Sequence, residues 1–255
     1  MDSAATPLLL AFDTSTERLA AGLQRVGGEP LTYDGVGGAL ASTALLPRLR
    51  DLLERAGTDW SGLSAIAFGV GPGAFTGLRT ACSVAQGLGF GLGLPLLPID
   101  SLLIVAEDAR LQAGATDFEV GVAMDARMDE SYAARYRCRG GRWEVIDAPA
   151  LYDLDALAAA WAGAAPDAWA GSALAAFGER LNLPPAAWRL TSERDRAGAL
   201  LRLAGQAAAA GAGIDAAAAL PLYLRDKVAL TTAERAEQAA QKARATAAHE
   251  GAATR

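Results

Sequence analysis

Leu8-Leu9-Leu10-Ala11-Phe12-Asp13 is an apolar run that ends in aspartate, and Val120-Gly121-Val122-Ala123-Met124-Asp125 repeats this pattern in the second part of the chain. Each run is typical of a buried strand. A glycine pair that fits a hairpin turn follows at nearly the same distance in both parts, as Gly27-Gly28 and Gly140-Gly141. The sequence therefore predicts an internal duplication, with two halves that both begin with three strands.

The predicted elements of the first half alternate between helix and strand after an initial group of three strands. They are the strands Leu8–Asp13, Leu19–Val26 and Leu31–Asp34, helix Ser42–Ala56, strand Leu63–Val70, helix Thr76–Gly93, strand Leu94–Ile99 and helix Ser101–Gln112. The predicted fold class is α/β, with two β-β-β-α-β-α-type halves. By analogy of fold, this is the duplicated actin-like (ASKHA, ribonuclease H-like) architecture, in which a ligand cleft lies between the halves.

The pattern divides the chain into two halves and a tail. A short break at Gly114-Ala115-Thr116 separates residues 1–114, with the glycine-rich loop and the candidate interface helices, from residues 115–230. Residues 231–255 favour helix but have no apolar stripe, so we expect a frayed or disordered tail. The further elements expected in the second half are the helices Asp153–Trp161, Ser172–Leu181 and Asp195–Ala210, and a strand near Trp169.

Composition limits the class of protein. The 255 residues are 52% hydrophobic and 20% charged, which is enough apolar material for a substantial core. The net charge of −6 is unfavourable for a chain that grips nucleic acid unaided, so we expect any such contact to be indirect. The N-terminus has no basic segment and the run from Leu8 to Phe12 is too short to span a membrane, which predicts a cytoplasmic protein. Cys82 and Cys138 are isolated, as reduced structural thiols are.

The sequence contains one histidine, His249, and it lies in the tail. A Ser-His-Asp or Cys-His catalytic arrangement is therefore not expected, nor is a zinc site built on histidine. Carboxylate chemistry with magnesium stays open.

A glycine-rich loop, Gly69-Val70-Gly71-Pro72-Gly73-Ala74-Phe75-Thr76-Gly77-Leu78-Arg79, stands between an apolar run and a helix. Thr76 is the predicted N-cap. Backbone N–H groups near Gly71 and Gly73, in front of a helix N-terminus, are typical of an anion site, but a tight strand-to-helix turn fits equally well. The spacing matches neither the P-loop nor the dinucleotide fingerprint. Arg79 opposes the helix dipole, which favours an anionic partner or a surface salt bridge.

Two turns carry further candidates. In an actin-like cleft Asp13 would hold magnesium or water, and the alternative is an Asx turn that satisfies its own backbone donors. In the charged second turn, Arg127 can reach a carboxylate or phosphate across the cleft, or form local ion pairs. The candidate vestigial nucleotide or anion site comprises Asp13, Thr14, Ser15, Gly71, Gly73, Thr76, Arg79, Asp125 and Arg127. No metal site is predicted.

Two helices of the first half have distinctive faces. Helix Ser42–Ala56 carries leucines on one stripe, at Leu45, Leu46, Leu49, Leu52 and Leu53. The next helix carries small residues at every fourth position, at Gly77, Ala81, Ala85, Gly89 and Gly93. A glycine inside a helix costs roughly 1 kcal/mol relative to alanine, so this ridge indicates close packing, either within the chain or against a partner.

Four separated blocks of the sequence resemble one known family, the TsaB (YeaZ) family of bacterial tRNA threonylcarbamoyladenosine biosynthesis proteins. Their order and spacing cover the chain from about Leu8 to Arg225. The blocks are Leu10-Ala11-Phe12-Asp13-Thr14-Ser15-Thr16, Gly71-Pro72-Gly73-Ala74-Phe75-Thr76-Gly77-Leu78-Arg79 running into Ala85-Gln86-Gly87-Leu88, Met124-Asp125-Ala126-Arg127-Met128, and Pro221-Leu222-Tyr223-Leu224-Arg225.

The resemblance implies a duplicated actin-like fold with a degenerate nucleotide cleft. It implies a non-catalytic subunit that supports its catalytic paralogue TsaD, which attaches a threonylcarbamoyl group to adenosine 37 of tRNA. The ATPase subunit TsaE is implied as a further partner, and a homodimer stays open. The catalytic subunit holds its metal with a pair of helix histidines, whereas helix Ser42–Ala56 has no histidine. No cofactor is implied, although weak binding of ATP, ADP or magnesium stays open.

Members of the family pair through the first two helices, so the resemblance gives the leucine stripe and the small-residue ridge a role as a partner interface. The chain departs from the family at Ala41-Ser42-Thr43, where His-Ser-Glu is usual, and at Ala74, where serine is usual. Polar contacts at those positions are therefore not carried over. The alternative function is an active ATPase or small-molecule kinase that uses Asp13 and the Gly71–Gly77 loop. A metallopeptidase is the weakest interpretation, because metal ligands are lacking.

Overall fold

A computed structural model describes residues 6–225, and all of these except Arg225 belong to one compact unit, Met1–Leu224. The first half contributes β1 (Leu8–Asp13), β2 (Arg18–Arg25), β3 (Leu31–Val36), α1 (Ala41–Arg55), β4 (Ala65–Gly71), α2 (Phe75–Leu92), β5 (Leu96–Asp100) and α3 (Ser101–Ala113). The rest of the described chain contributes β6 (Phe118–Asp125), β7 (Glu130–Arg139), β8 (Arg142–Asp153), α4 (Leu154–Trp161), β9 (Ala168–Ala170), α5 (Ala173–Phe177), β10 (Trp188–Leu190) and α6 (Arg196–Ala209). Short 3-10 helices occupy Gly38–Leu40, Trp60–Gly62, Gly178–Leu181 and Ala216–Ala218.

The two sheets have the same topology. The first sheet has the strand order β3-β2-β1-β4-β5 and the second has the order β8-β7-β6-β9-β10. In both sheets the first strand pairs antiparallel with the second strand and parallel with the fourth. Both the element order and the sheet order therefore repeat, and the predicted α/β duplicated actin-like fold is confirmed.

Strand β1 is the centre of the first sheet and is buried along its whole length. Its side chains alternate between the two faces of the sheet, as the pleat requires. Leu10 and Phe12 lie in the core cluster that α1 and α2 cover, whereas Leu9 and Ala11 lie in the cluster that includes residues of α6. Both faces being covered explains why the run is continuously apolar instead of alternating.

The structure divides the chain differently from the sequence pattern. The predicted break at Gly114 coincides with the end of α3, where Gly114 has a φ of 64°. Helix α6, however, packs on β1, β2, β3 and β5 of the first sheet, although the sequence pattern assigned it to the second half, 115–230. Ile214 likewise forms a bridge with Leu96 of β5. The C-terminal part of the described chain thus returns to the first half.

Most predicted elements lie within two residues of the observed ones, but two local predictions are wrong. Thr76 does not cap α2, because the helix begins one residue earlier with Ala74 at the N-cap and with no side-chain cap. The predicted helix Ser172–Leu181 is divided, since Gly178 has positive φ and begins a 3-10 segment after α5. The predicted tail, 231–255, lies outside the described residues. No helix within residues 6–225 is both long and apolar enough to cross a membrane.

Candidate functional site in the turn after the first strand

Asp13 ends β1 as a fully buried carboxylate, and the groups around it are arranged to satisfy it. Its Oδ1 accepts hydrogen bonds from the backbone N–H of Ser15 at 3.1 Å and from Ser15 Oγ at 2.8 Å, which is the predicted Asx turn. Its Oδ2 accepts a hydrogen bond from Ser101 Oγ at 2.8 Å. Space for the carboxylate exists because residue 69 is glycine, where a Cβ would overlap Asp13 Oδ2.

The counter-ion of Asp13 is Arg196, the first residue of α6, which is 1% exposed. Its Nε donates to Asp13 Oδ1 at 3.0 Å, and its Nη2 donates to Ser15 Oγ at 3.0 Å and to the Ser101 carbonyl at 3.4 Å. Nη1 forms a short ion pair with Glu193. Every donor-bearing nitrogen of this guanidinium thus faces an acceptor of the same chain, which is what a buried charge requires.

Electrostatics keep the guanidinium of Arg196 ionised. Burial acts to lower the pKa of Arg196, but the negative charges of Asp13 and Glu193 outweigh it and raise that pKa above its ordinary value. Burial raises the pKa of Glu193, against the opposing effect of the Arg196 charge. Arg196 therefore stays a cation, and the site carries its own positive charge.

The glycine-rich loop is closed onto the same turn. The N–H of Gly71 donates to Ser101 Oγ at 3.0 Å, and the N–H of Ala74 donates to the Ser15 carbonyl at 2.7 Å. A Cβ at Gly73 would overlap the Ser15 carbonyl. Both loop N–H groups thus form hydrogen bonds within the chain and are not directed at a ligand. The geometry therefore favours a tight turn over an anion site at this loop, and the anion site stays a prediction.

Arg79 has aromatic partners instead of the predicted anionic one. Its guanidinium carbon lies 3.9 Å from the centre of the Phe75 ring, and its Nε donates to the Tyr223 hydroxyl at 3.2 Å. The rings of Phe75 and Tyr223 lie 5.3 Å apart. Cation–π contact offsets the unfavourable helix dipole, and the contact explains why the block around Tyr223 accompanies the glycine-rich loop.

The second turn lies apart from this buried network. Asp125 Oδ1 accepts the N–H of Arg127 at 2.8 Å, and the Asp125 N–H donates to Ser172 Oγ at 3.0 Å. Arg127 Nη2 lies 3.3 Å from Glu17 Oε1, a carboxylate of the turn after β1. Arg127 also forms a local ion pair with Asp125. Arg127, Met128 and Asp129 all have positive φ, at 65°, 60° and 57°.

Most of the candidate interface residues lie inside the chain. Four leucines of α1, namely Leu45, Leu49, Leu52 and Leu53, are buried in the core, and Leu46 alone of the stripe is exposed, at 46%. The ridge of α2 is also internal, with Gly77, Ala81, Ala85 and Gly89 buried. A Cβ at Gly77 would overlap the Thr14 carbonyl, and Thr14 Oγ1 donates to the Gly77 carbonyl at 2.7 Å. The buried residues of both faces are thus corrected from partner contacts to internal packing.

The residues at Asp13 do not fit the magnesium and nucleotide that the fold family implies. Both carboxylate oxygens accept hydrogen bonds from the chain, and a guanidinium already stands 3.0 Å from Oδ1. A divalent cation at this carboxylate would meet that positive charge at close range. Within the described part of the chain, no group of three or more His, Cys, Asp or Glu residues is placed to hold a metal ion.

Sequence reasoning missed Arg196, Ser101 and Glu193. A signal for Arg196 was present, because it is a cation in the first turn of a predicted helix, where the dipole is unfavourable without an anionic partner. The same argument predicts an anionic partner or a surface salt bridge for Arg79, where the partners are aromatic. Ser101 was predicted only as the first residue of a helix, and its contacts with Asp13 and Gly71 depend on the parallel alignment of β1, β4 and β5.

Comparison with known proteins gives consistent relatives. The family model described as TsaD, tRNA N6-adenosine threonylcarbamoyltransferase, matches residues 39–254. A solved structure titled YeaZ from Pseudomonas aeruginosa has 40% sequence identity and a TM-score of 0.77, covering 86% of this chain and 100% of that chain.

Two curated relatives are named tRNA threonylcarbamoyladenosine biosynthesis protein TsaB. The one from Escherichia coli is 37% identical over 136 residues, which are 53% of this chain and 58% of the relative. The one from Haemophilus influenzae is 39% identical over 124 residues, which are 49% of this chain and 51% of the relative. The matched region thus spans between half and three fifths of the length of these two relatives.

Proposed function

Because the chain belongs to the TsaB (YeaZ) family, within the broader family that the TsaD model describes, we propose that it is a non-catalytic partner subunit in tRNA threonylcarbamoyladenosine formation. In this role it supports a TsaD-type enzyme that transfers the threonylcarbamoyl group to adenosine 37. The chain itself supplies no reacting group. Its contact with tRNA is indirect, in keeping with the net charge of −6, and its compartment is the cytoplasm.

The observation that carries the proposal is the internal pairing of Asp13 with Arg196. In an actin-like ATPase the aspartate at this place faces magnesium and phosphate, but here a residue of the same chain neutralises it at 3.0 Å. The loop N–H groups of Gly71 and Ala74 are also bonded within the chain. These contacts support a scaffold role over the alternative of an active ATPase or kinase.

The partner surface in this proposal is the outward face of α1 and α2. Leu46 is an exposed apolar residue on α1, and Phe90 on α2 is 63% exposed. Gly87 and Gly91 of α2 have open space where a side chain would extend, so a helix of a partner can approach the backbone there. The partner is the TsaD-type subunit or a second copy of this chain, with the ATPase subunit TsaE joining the assembly.

The experiment is reconstitution of the modification. A mixture of TsaD, the adenylate-forming enzyme, TsaE, tRNA, threonine, bicarbonate and ATP is assayed for threonylcarbamoyladenosine with and without this chain. We expect modification only when the chain is present. Equal modification without it would contradict the proposal.

A matched pair of variants tests the surface. Leu46→Arg adds a charge to the α1 face, whereas Val145→Arg adds the same charge to an exposed apolar residue of β8 in the second half. Only Leu46→Arg is expected to weaken the complex with TsaD, measured by calorimetry, and to reduce modification. Equal affinity of the two variants would place the partner elsewhere.

A further inference from the structure

Arg196 links two parts of the chain that are far apart in sequence. It begins α6, and its side chain reaches the end of β1, where Asp13 and Ser15 accept its hydrogen bonds. The side chain is 1% exposed and Asp13 is fully buried, so solvent does not compete for the contact. The pair is therefore a fixed part of the fold and not a surface ion pair.

A continuous set of hydrogen bonds leads from Arg196 to helix α2. Asp13 accepts from Ser101 Oγ through its second oxygen, and Ser101 Oγ accepts in turn from the N–H of Gly71, at the start of the loop before α2. The residues beside Asp13 contact the helix directly. Thr14 Oγ1 donates to the Gly77 carbonyl, and the Ser15 carbonyl accepts from Ala74, the N-cap of α2.

We propose that Arg196 is a positioning residue, a built-in cation that holds the Asp13 turn and, through it, the N-terminal end of α2 in the arrangement offered to the partner. Here the cation is part of the chain, so the position of α2 does not depend on a nucleotide. The inference rests on the proposed function only for the partner; the link from Arg196 to α2 is independent of it.

The contacts of Arg196 predict how its replacement affects the Asp13 turn and α2. Arg196→Met leaves the Asp13 carboxylate buried without its counter-ion, so the turn rearranges to reach water or another cation. The contacts of Thr14 and Ser15 with α2 are then lost or weakened. Glu193→Gln removes the negative charge of a different partner of the guanidinium and keeps the contact with Asp13, so it is a control for the loss of any one charge beside Arg196.

A second control separates positioning from a general loss of stability. Arg110 forms a two-point ion pair with the buried Glu107 on α3, away from the Asp13 turn. Arg110→Met therefore breaks another inward-facing ion pair without touching the hydrogen bonds that lead to α2. Comparison of the two arginine variants isolates the effect of the location.

The test is hydrogen exchange of the isolated full-length chain, followed in peptides that cover the first three turns of α2. Arg196→Met is expected to increase exchange there by about tenfold or more relative to Arg110→Met, and Glu193→Gln is expected to leave it unchanged. Equal exchange in the two arginine variants would overturn the proposal. If Arg196→Met does not fold, Arg196→Lys replaces it and Arg110→Lys replaces its control. A lysine cannot contact Asp13, Ser15 and Glu193 together, so faster exchange of α2 than in Arg110→Lys is still expected.

Calorimetry with MgADP tests directly whether the guanidinium of Arg196 excludes a nucleotide from Asp13. The wild-type chain is expected to give no binding up to about 1 mM, since its own guanidinium stands at Asp13. If the wild type bound MgADP and Asp13→Asn did not, the proposal that Arg196 serves as the built-in cation at Asp13 would be wrong. Neither measurement involves TsaD, so failure of the reconstitution assay and failure of this inference are separable.

Discussion

The turns after β1 and β6 occupy the same place in the two repeats, yet the aspartate that begins the first is buried and the aspartate that begins the second is partly exposed. Asp13 is inaccessible and is held by Ser15, Ser101 and Arg196. Asp125 keeps 22% of its side chain exposed and caps its own turn. The same strand ending thus serves a buried network in one half and a charged surface hairpin in the other.

The helices that pack beside the two turns also differ, and the longer helix belongs to the half whose aspartate is buried. In the first half, the strand beside β1 leads through the glycine-rich loop into α2, which has 18 residues. In the second half, the strand beside β6 leads through Gly171 and Ser172 into α5, which has 5 residues. A long helix needs a firm anchor at its start when no side chain caps it, and Thr14 and Ser15 provide that anchor for α2. The comparison therefore indicates that the turn after β1 is buried because it holds the start of the long helix α2.

The largest test of this comparison makes the same substitution in both turns. Asp13→Asn removes a buried charge from its ion pair and leaves Arg196 undercompensated, so we expect a loss of about 3–5 kcal/mol in the free energy of unfolding. Asp125→Asn retains a side-chain oxygen for the Arg127 N–H, so a loss below about 1 kcal/mol is expected. Chemical denaturation of both variants measures the difference. Similar losses would mean that the two aspartates are equivalent despite their burial.

The next test compares two glycines of α2. A Cβ at Gly77 would overlap the backbone carbonyl of Thr14, which cannot move without breaking the turn, so Gly77→Ala is expected to cost more than about 2 kcal/mol. Gly87 faces open space, and Gly87→Ala is expected to stabilise the chain by about 0.5–1 kcal/mol through helix propensity. The midpoints of thermal unfolding should shift in opposite directions. A stabilised Gly77→Ala would show that α2 does not press on the turn.

The sequence was sufficient for the fold because the fold depends on local periodicity. The apolar runs ending in Asp13 and Asp125, and the alternation that follows them, predict both halves. The place of α6 could not be read in this way, because chain order assigns it to the second half and only packing on β1 returns it to the first. The very short β10 likewise leaves no periodic signal.

The candidate site was predicted in part. The Asx turn at Asp13 follows from residue type, but the partner of its charge lies at Arg196, and no local rule joins residues so far apart. The sequence pattern identifies the faces of α1 and α2 as packing surfaces, but it does not say whether they pack on the chain's own sheet or on a partner. The period of a leucine stripe or a small-residue ridge is the same whether the chain's own sheet or a partner covers it, so burial alone assigned Leu49 and Ala85 to the interior.

A third test concerns the junction of the two halves, where the Tyr136 hydroxyl of β7 donates to Asp100 Oδ2 at 2.5 Å. Burial raises the pKa of Asp100 above its ordinary value. The folded chain therefore binds the proton more tightly than the unfolded chain, and the contribution of Asp100 to stability is present at low pH and lost as pH rises through the raised pKa. Relative to Asp100→Asn, the wild type should therefore gain stability as pH falls from 7 towards 4.

Asp59 provides the opposite control for that pH series. The hydrogen bond from the Ser61 hydroxyl and those from the backbone lower the pKa of Asp59, so its contribution to stability is lost as pH falls. Denaturation curves of Asp100→Asn and Asp59→Asn across pH should therefore diverge from the wild type in opposite directions. If the free energies of unfolding of Asp100→Asn and the wild type changed equally with pH, the pKa of Asp100 would not be raised by folding.

The smallest expected effect is at the contact that joins the two turns. Arg127 and Glu17 are 3.3 Å apart, but their side chains are 73% and 77% exposed, so water and salt screen their attraction. A double-mutant cycle with Glu17→Gln and Arg127→Gln should give a coupling free energy below about 1 kcal/mol that disappears in high salt. A larger, salt-resistant coupling would mean that this exposed pair holds the halves together as firmly as Arg196 holds Asp13. Because water reaches Arg127 and Glu17 but not Arg196 and Asp13, we expect the buried pair to dominate.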